Sequence, residues 1–302
     1  MLKVEPVRRD NLAQFIRYVA VHGAEHDESY LPGAGFVPSG EHPAYVLWQD
    51  GEVVGAVALM RTPRYRKARR GRFSLFHCID REPQGYSLLF DAILRHFDGL
   101  RSVYLFLPEA RTAAAEAALR LGFAIERYSY VMRLDKPSPA GLAVPEGLTL
   151  LSIRPSDRQS ARQFADAINA SFGELAGHIP MQANNVRAWE GEETYLEGGV
   201  ALLLEGTRAI GTVAITGDVD DRNAAEIGAL SVARHRRGQG LGRLLLRHAV
   251  CFATWRGLHP VFLSLNAENK KALRLYQTEG FAVTDTMVCY SRDCRPTDAA
   301  RS

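Results

Sequence analysis

Three glycines and an arginine crowd six positions at Arg237-Gly238-Gln239-Gly240-Leu241-Gly242. Upstream, Ile227, Ala229 and Ser231 alternate with Glu226, Gly228, Leu230 and Val232, the period of a half-buried strand over 225–232. Downstream, Leu241, Leu244, Leu245, Ala249 and Phe252 recur at three- and four-residue spacing, which predicts a helix with one apolar face. A strand that turns through glycines into a helix gathers free backbone N–H groups at the positive end of a helix dipole. Such a point favours a phosphate. The candidate phosphate-binding set is therefore Arg237, Gly238, Gln239, Gly240, Leu241, Gly242 and Arg243.

Two other phosphate-binding patterns begin in a similar way. A dinucleotide fingerprint would need its third glycine at Arg243, where a long side chain obstructs close helix–strand packing. A nucleoside-triphosphate loop would need a following Gly-Lys-Ser/Thr, which this chain lacks here. The elements that follow the loop narrow the choice. Pro260 to Leu265 predicts a strand with Val261, Leu263 and Leu265 on one face, ended by Asn266. Residues 268–279 predict a helix with Asn269, Ala272 and Tyr276 on one face, stopped by Gly280 in a C-cap position. Phe281 opens the next strand.

The ordered set of strand, Arg-x-x-Gly-x-Gly, helix, strand, Asn-x-x-Ala-x-x-x-Tyr and Gly-Phe resembles the acetyl-CoA-binding core of GNAT superfamily N-acetyltransferases. The resemblance implies acetyl-CoA as acyl donor, with its pyrophosphate on the loop. It also implies Glu226 as general base and Tyr276 as the acid that protonates the departing thiolate. Backbone N–H groups of Leu230, Ser231 and Val232, splayed from the neighbouring strand, would meet the thioester oxygen and the pantetheine arm. Asn269 would hold the cofactor or cap its helix, with Asn266 as the alternative cap. No metal is expected.

Composition sets looser bounds. A chain of 302 residues, 46% hydrophobic and 24% charged, suits two globular domains with real cores. A net charge of +3 admits a phosphorylated cofactor without indicating nucleic acid. Cys78, Cys251, Cys289 and Cys294 lack the spacing of a zinc site. The charged N-terminal stretch and the lack of a long apolar run lead us to expect a cytoplasmic protein without a membrane partner.

The same pattern is written twice. Asp50-Gly51 before Val53 to Ala58 resembles Glu205-Gly206 before Ala209 to Ala214, each strand with an internal glycine. Val103 to Leu107, a helix, and Gly122-Phe123 correspond to Val261 to Leu265, a helix, and Gly280-Phe281, each 158 positions apart. The expected fold is α/β, of the α+β mixed-sheet kind: two tandem GNAT-like domains, each a mixed central sheet flanked by helices. Pro137, Pro139, Gly141 and Pro145 interrupt every periodicity, so domains are expected at 1–138 and 146–293, a linker at 139–145 and a poorly ordered tail at 294–302.

The first copy lacks the chemistry. Ala118 stands where the second copy has Tyr276, and Arg111 where it has Asn269. Asp80-Arg81-Glu82-Pro83-Gln84-Gly85-Tyr86 replaces the glycine loop, with two acids and a missing N–H donor. This copy is expected to be a non-catalytic partner or to bind something else. Arg61 to Arg72 holds seven basic residues in twelve, either a solvated loop or a patch for an acidic ligand. Nucleic acid is the least expected user, since no aromatic stacking signature accompanies the run.

The expected activity is acetyl transfer to a primary amine of a small-molecule acceptor. A similar tandem layout occurs in family members that acetylate aminothiol conjugates, but no residue selects that acceptor. Acyl-CoA binding without turnover is the alternative, against which Glu226 and Tyr276 argue. Acceptor choice is expected in 171–198, with His178, Trp189, Glu190, Glu192, Glu193 and Tyr195; these acids suit a cationic amine and are equally what an exposed loop carries. The expected partners are the small-molecule amine and a second copy of the chain, as a homodimer.

Overall fold

A computed structural model of the chain describes residues 1–79, 83–138, 141, 143–173, 179–218 and 221–294. Contacts divide it into two units, Met1–Ser129 with Asp285–Ser302, and Tyr130–Thr284. In chain order the elements are β1 (Leu2–Pro6), α1 (Leu12–His22), β2 (Ala44–Gln49), β3 (Glu52–Met60), α2 (Pro63–Lys67), β4 (Arg70–Cys78), α3 (Pro83–Leu94), β5 (Ser102–Pro108), α4 (Thr112–Arg120) and β6 (Ala124–Leu134). They continue with β7 (Leu148–Ser152), α5 (Arg158–Phe172), α6 (Ala183–Ala188), β8 (Tyr195–Glu205), β9 (Arg208–Gly217), β10 (Ala225–Val232), α7 (Leu241–Trp255), β11 (Val261–Asn266), α8 (Lys270–Thr278) and β12 (Ala282–Asp293).

Each unit is a mixed sheet flanked by helices, as the sequence pattern predicts. Strand order is β1-β2-β3-β4-β5-β12 in the first and β6-β11-β10-β9-β8-β7 in the second. In the first unit β4 pairs with β5 in parallel, and in the second β10 pairs with β11 in parallel. The units do not coincide with the two sequence segments, because each copy's last strand contributes to the other unit. Val288 and Tyr290 of β12 lie in the core of the first unit, and Met132 of β6 is fully buried in that of the second.

Local chemistry explains the repeated elements. Asp50-Gly51 closes the β2–β3 hairpin with both residues at positive φ, as a tight two-residue turn requires, and Gly206 opens the turn between β8 and β9 at φ 58°. The internal glycines of β3 and β9 make room for a helix. A Cβ on Gly55 would come within 3.1 Å of Leu89 on α3, and one on Gly211 within 2.9 Å of Leu245 on α7. α7 buries Leu241, Leu244, Leu245, Ala249 and Ala253 against that face of the second sheet. α5 buries Phe164, Ala165 and Ile168 against the other. Asp157 caps α5 by accepting from the Ser160 N–H at 2.8 Å. No helix among the described residues is long and apolar enough to cross a membrane.

Much of the basic run Arg61 to Arg72 is structural. Arg61 donates to the His96 carbonyl at 2.6 Å, Arg66 pairs with Glu41 at 3.1 Å and Arg70 with Glu126 at 2.6 Å. Arg72 pairs with Asp27 and lies over the rings of Tyr30 and Phe106. Both members of that pair are largely buried. Arg72→Met should therefore destabilise the protein by about 3–5 kcal/mol, because Asp27 loses its cation in a site poor in water. Denaturant titration checks this, and the double variant Asp27→Leu/Arg72→Met is expected to recover part of the loss.

Candidate functional site

The parallel ladder of the second unit pairs only Ala225, Glu226 and Ile227 with Val261, Phe262 and Leu263. Beyond it β10 bulges between Gly228 and Ser231 on its β9 side, and Ala229 adopts a left-handed backbone, φ 49°. Thr212 braces the bulge, donating its hydroxyl to the Ala229 carbonyl at 2.6 Å and sharing a 2.8 Å hydrogen bond with Ser231. The edge of β10 that carries Leu230, Ser231 and Val232 thus runs on past the end of the β11 ladder.

Glu226 sits at the start of this opening and is exposed. Its neighbour Ile227 points into the α7 core, so Glu226 faces the opposite side of the sheet. The register places it in one cross-strand row with Thr216 of β9 and Tyr195 of β8. Tyr276 lies on the other side, within the α7 core, 8% exposed, its ring 6.2 Å from that of Phe281. Burial pushes the phenol up to about 12, so it stays protonated through the neutral range.

The glycine loop has the geometry of an anion cradle. Gly238 and Gly240 both hold left-handed backbones, φ 80° and 79°, and Gly240 is the N-cap of α7 with no side chain to cap it. The first-turn N–H groups of Leu241, Gly242 and Arg243 are left without a capping side chain. Gly242 has ordinary backbone angles, and a Cβ there would only touch Leu275 at 3.5 Å. Arg237 bends back onto the protein, donating to the Val232 carbonyl at 3.0 Å and to the Ser171 carbonyl at 2.9 Å. Arg243 pairs with Glu279 at 2.9 Å, and Arg247 joins the same carboxylate at 2.7 Å, tying α7 to α8. Asn269 caps α8 by accepting from the Ala272 N–H at 3.1 Å, while Asn266 accepts from the Glu268 N–H.

In the segment 179–198, the acids that composition left equivalent differ in their partners. Glu190 accepts from the Ser156 N–H and hydroxyl, and Glu193 pairs with Arg222 at 3.6 Å. Glu192 has neither kind of partner among the described residues, and burial raises its pKa. Trp189 packs edge-on against Phe164, 5.4 Å between centroids. His178 lies outside the described residues, as do Asp80, Arg81 and Glu82 of the first copy.

The first unit repeats the opening with different contents. Its parallel ladder pairs only Arg70, Gly71 and Arg72 with Ser102, Val103 and Tyr104. Ala118, at the position of Tyr276, is fully buried and offers no acid. A cavity of about 520 Å³ lies there, lined by Glu25, His77, Cys78, Tyr86, Arg111 and Thr112 among others. Its polar wall is tightly connected: Tyr18 bonds the Nδ1 of His77 at 2.7 Å, His77 approaches Glu25 at 3.5 Å, and Arg111 reaches Glu25 at 3.3 Å. Burial pushes both His77 and His26 down to about 4. None of these side chains stands out in the sequence except as the cluster His22, Glu25, His26, whose partner His77 is far along the chain.

With this geometry in hand, comparison with known proteins is direct. Residues 161–281 match the Acetyltransferase (GNAT) family model. The mycothiol acetyltransferase of Renibacterium salmoninarum is 25% identical over 277 residues, covering 87% of this chain and 75% of that protein. That of Paenarthrobacter aurescens is 28% identical over 253 residues, covering 81% and 72%. A tandem GNAT protein from the clavulanic acid biosynthesis pathway superposes over 99% of this chain and all of its own with a TM-score of 0.73 at 17% identity, a likeness of fold. Residues 161–281, which lie in the second unit, thus carry the match to the GNAT acetyltransferase family, and the chain has the fold of tandem GNAT proteins.

Proposed function

We infer that the second unit transfers an acetyl group from acetyl-CoA to a primary amine of a small-molecule acceptor. The observation that carries this is the break in the β10–β11 ladder, flanked by Glu226 on one face and Tyr276 on the other and adjoining the uncapped start of α7. The donor fits these residues: a pyrophosphate requires converging N–H groups without a Cβ in the way, and residues 238–243 supply them beside a helix N-terminus. Acetyl-CoA supplies an activated thioester. The protein's part is to hold and polarise the carbonyl, neutralise the amine and protonate the leaving thiolate.

Each role has a residue suited to it. Backbone N–H groups along Leu230 to Val232 meet the pantetheine arm and the carbonyl oxygen, because no β11 residue pairs with that stretch. Glu226, exposed on the acceptor face, takes the ammonium proton directly or through water. Tyr276, buried and protonated, gives its proton to the thiolate. Glu192, an exposed side chain whose pKa desolvation raises, offers a carboxylate to a cationic acceptor. The first unit, with Ala118 for the tyrosine, does not turn over. Thiol release against a panel of small amines, with the amine of an aminothiol conjugate among them, tests the activity; silence across such a panel with acetyl-CoA bound would favour binding without turnover.

Calorimetric titration of the intact chain is expected to give one acetyl-CoA, and Gly240→Val to remove it, since a branched side chain is strained at φ 79° and occupies the phosphate approach. Gly242→Ala, which meets only Leu275 at an ordinary distance, should keep the fold and still weaken binding. A second equivalent surviving Gly240→Val would place a donor site in the first unit.

Tyr276→Phe should lower kcat by about a hundredfold with donor affinity nearly unchanged. Glu226→Gln should remove the acidic limb of the pH–rate profile. With the phenol at about 12, Tyr276 contributes no basic limb near neutrality in the free enzyme. Wild-type turnover in both variants would withdraw the acid and base assignments.

A further inference from the structure

The first unit's cavity holds an arrangement that acetyl transfer does not use. Glu25, in the single turn that follows α1, sits between two imidazoles: one carboxylate oxygen is 3.3 Å from Nδ1 of His22, the other 3.5 Å from Nε2 of His77. The two rings stack, 4.7 Å between centroids and 20° between planes. Three potential ligand atoms, one each from His22, Glu25 and His77, lie within 4.8 Å of one another. A tetrahedral zinc ion with bonds of about 2.0–2.2 Å holds its donor atoms about 3.3–3.5 Å apart. The two histidine–carboxylate separations reach different oxygens of Glu25, so a metal would take both oxygens or draw the three donors together by a small turn of the carboxylate.

The hydrogen bonding around His77 favours a cation at the same point. The Tyr18 hydroxyl lies 3.2 Å from the Val54 carbonyl and 2.7 Å from Nδ1 of His77, and when its single proton goes to Val54, Nδ1–H donates to the phenol oxygen. That tautomer turns the Nε2 lone pair toward the Glu25 carboxylate. Nε2 and the Glu25 oxygen that Arg111 also reaches then face each other, and a metal ion between them would bind both. Orientation of a ligating imidazole through its other nitrogen is the usual support of a metal site. Glu25 and His77 also line the cavity of about 520 Å³, which leaves a position open for a further ligand, and Arg111 at its wall would pair with an anionic one.

The geometry points to a divalent transition-metal site of the zinc class in the first unit, with His22, Glu25 and His77 as ligands and an open position facing the cavity. Imidazole and carboxylate donors suit zinc or cobalt, and three protein ligands with an open fourth place mark sites that bind or activate a further ligand. No cysteine is among the three ligands: the donor set comes from a helix end and a distant strand, invisible to cysteine spacing. The site belongs to the first unit alone and does not depend on the second unit's chemistry.

The test uses the full chain without an affinity tag, stripped with a chelator and titrated with Co²⁺ by visible absorption and with Zn²⁺ by calorimetry. One equivalent with tetrahedral cobalt bands is expected. His22→Ala and Glu25→Gln should lose both signals while keeping the melting transition and acetyl-CoA binding of the parent. Tyr18→Phe should bind about 10- to 100-fold more weakly through loss of imidazole orientation. The assignment is overturned by silence in the parent chain, by cobalt bands that survive both ligand variants, or by thiolate charge-transfer absorption that assigns the metal to cysteine.

Discussion

The parallel ladder between β10 and β11 lasts three residue pairs and stops, and the rest of the second unit is arranged around that stop. Ending a ladder inside a sheet leaves backbone donors and acceptors without partners, which a folded protein tolerates only where solvent or a ligand replaces them. The bulge that redirects β10 puts Ala229 in a left-handed conformation costing about 1–2 kcal/mol for a residue with a Cβ. Thr212 offsets this through its bonds to the Ala229 carbonyl and Ser231, and Ala229 packs against the α5 core. Strain held in place by specific contacts beside a cleft is what a preorganised binding edge requires.

The first unit preserves the constraint and changes what surrounds it. Its ladder also ends after three pairs, α3 and α4 start 158 positions before α7 and α8, and Gly55 admits α3 as Gly211 admits α7. The divergence lies in side chains at equivalent points. Tyr276 becomes a buried alanine, and the helix cap Asn269 becomes Arg111, whose guanidinium turns to Glu25. A shared backbone opening therefore carries unlike side chains, a buried phenol in one unit and an imidazole–carboxylate cluster in the other.

The sequence pattern exposed what is local and periodic. Helix faces, the glycine turn, the hairpins and the repeat all follow from spacings within a few residues, because steric preference and amphipathic period act at that range. Periodicity states which face of a strand is buried but not which strand lies beside it, so the exchange of β6 and β12 between units leaves no mark. The basic run is hidden for a related reason. Four of its seven cations meet Asp27, Glu41, Glu126 and the His96 carbonyl, all distant in sequence, and a charge count cannot see such partners. The His22, Glu25 and His77 cluster escaped notice for the same cause.

Arg237 shows how the work of a motif residue depends on the fold. Its guanidinium spans two carbonyls, Val232 at the end of β10 and Ser171 in the last turn of α5. The planar fork suits two acceptors approached from different directions, which a lysine ammonium on a flexible stem would hold less firmly. Through this one side chain the glycine loop is fixed to the strand edge that precedes it and to the helix leading into the acceptor-side segment. The backbone N–H groups of residues 238–243 form a cradle of defined shape only if the chain enters the loop at a fixed angle. The arginine therefore acts as a brace for the loop, whose free N–H groups belong to the backbone.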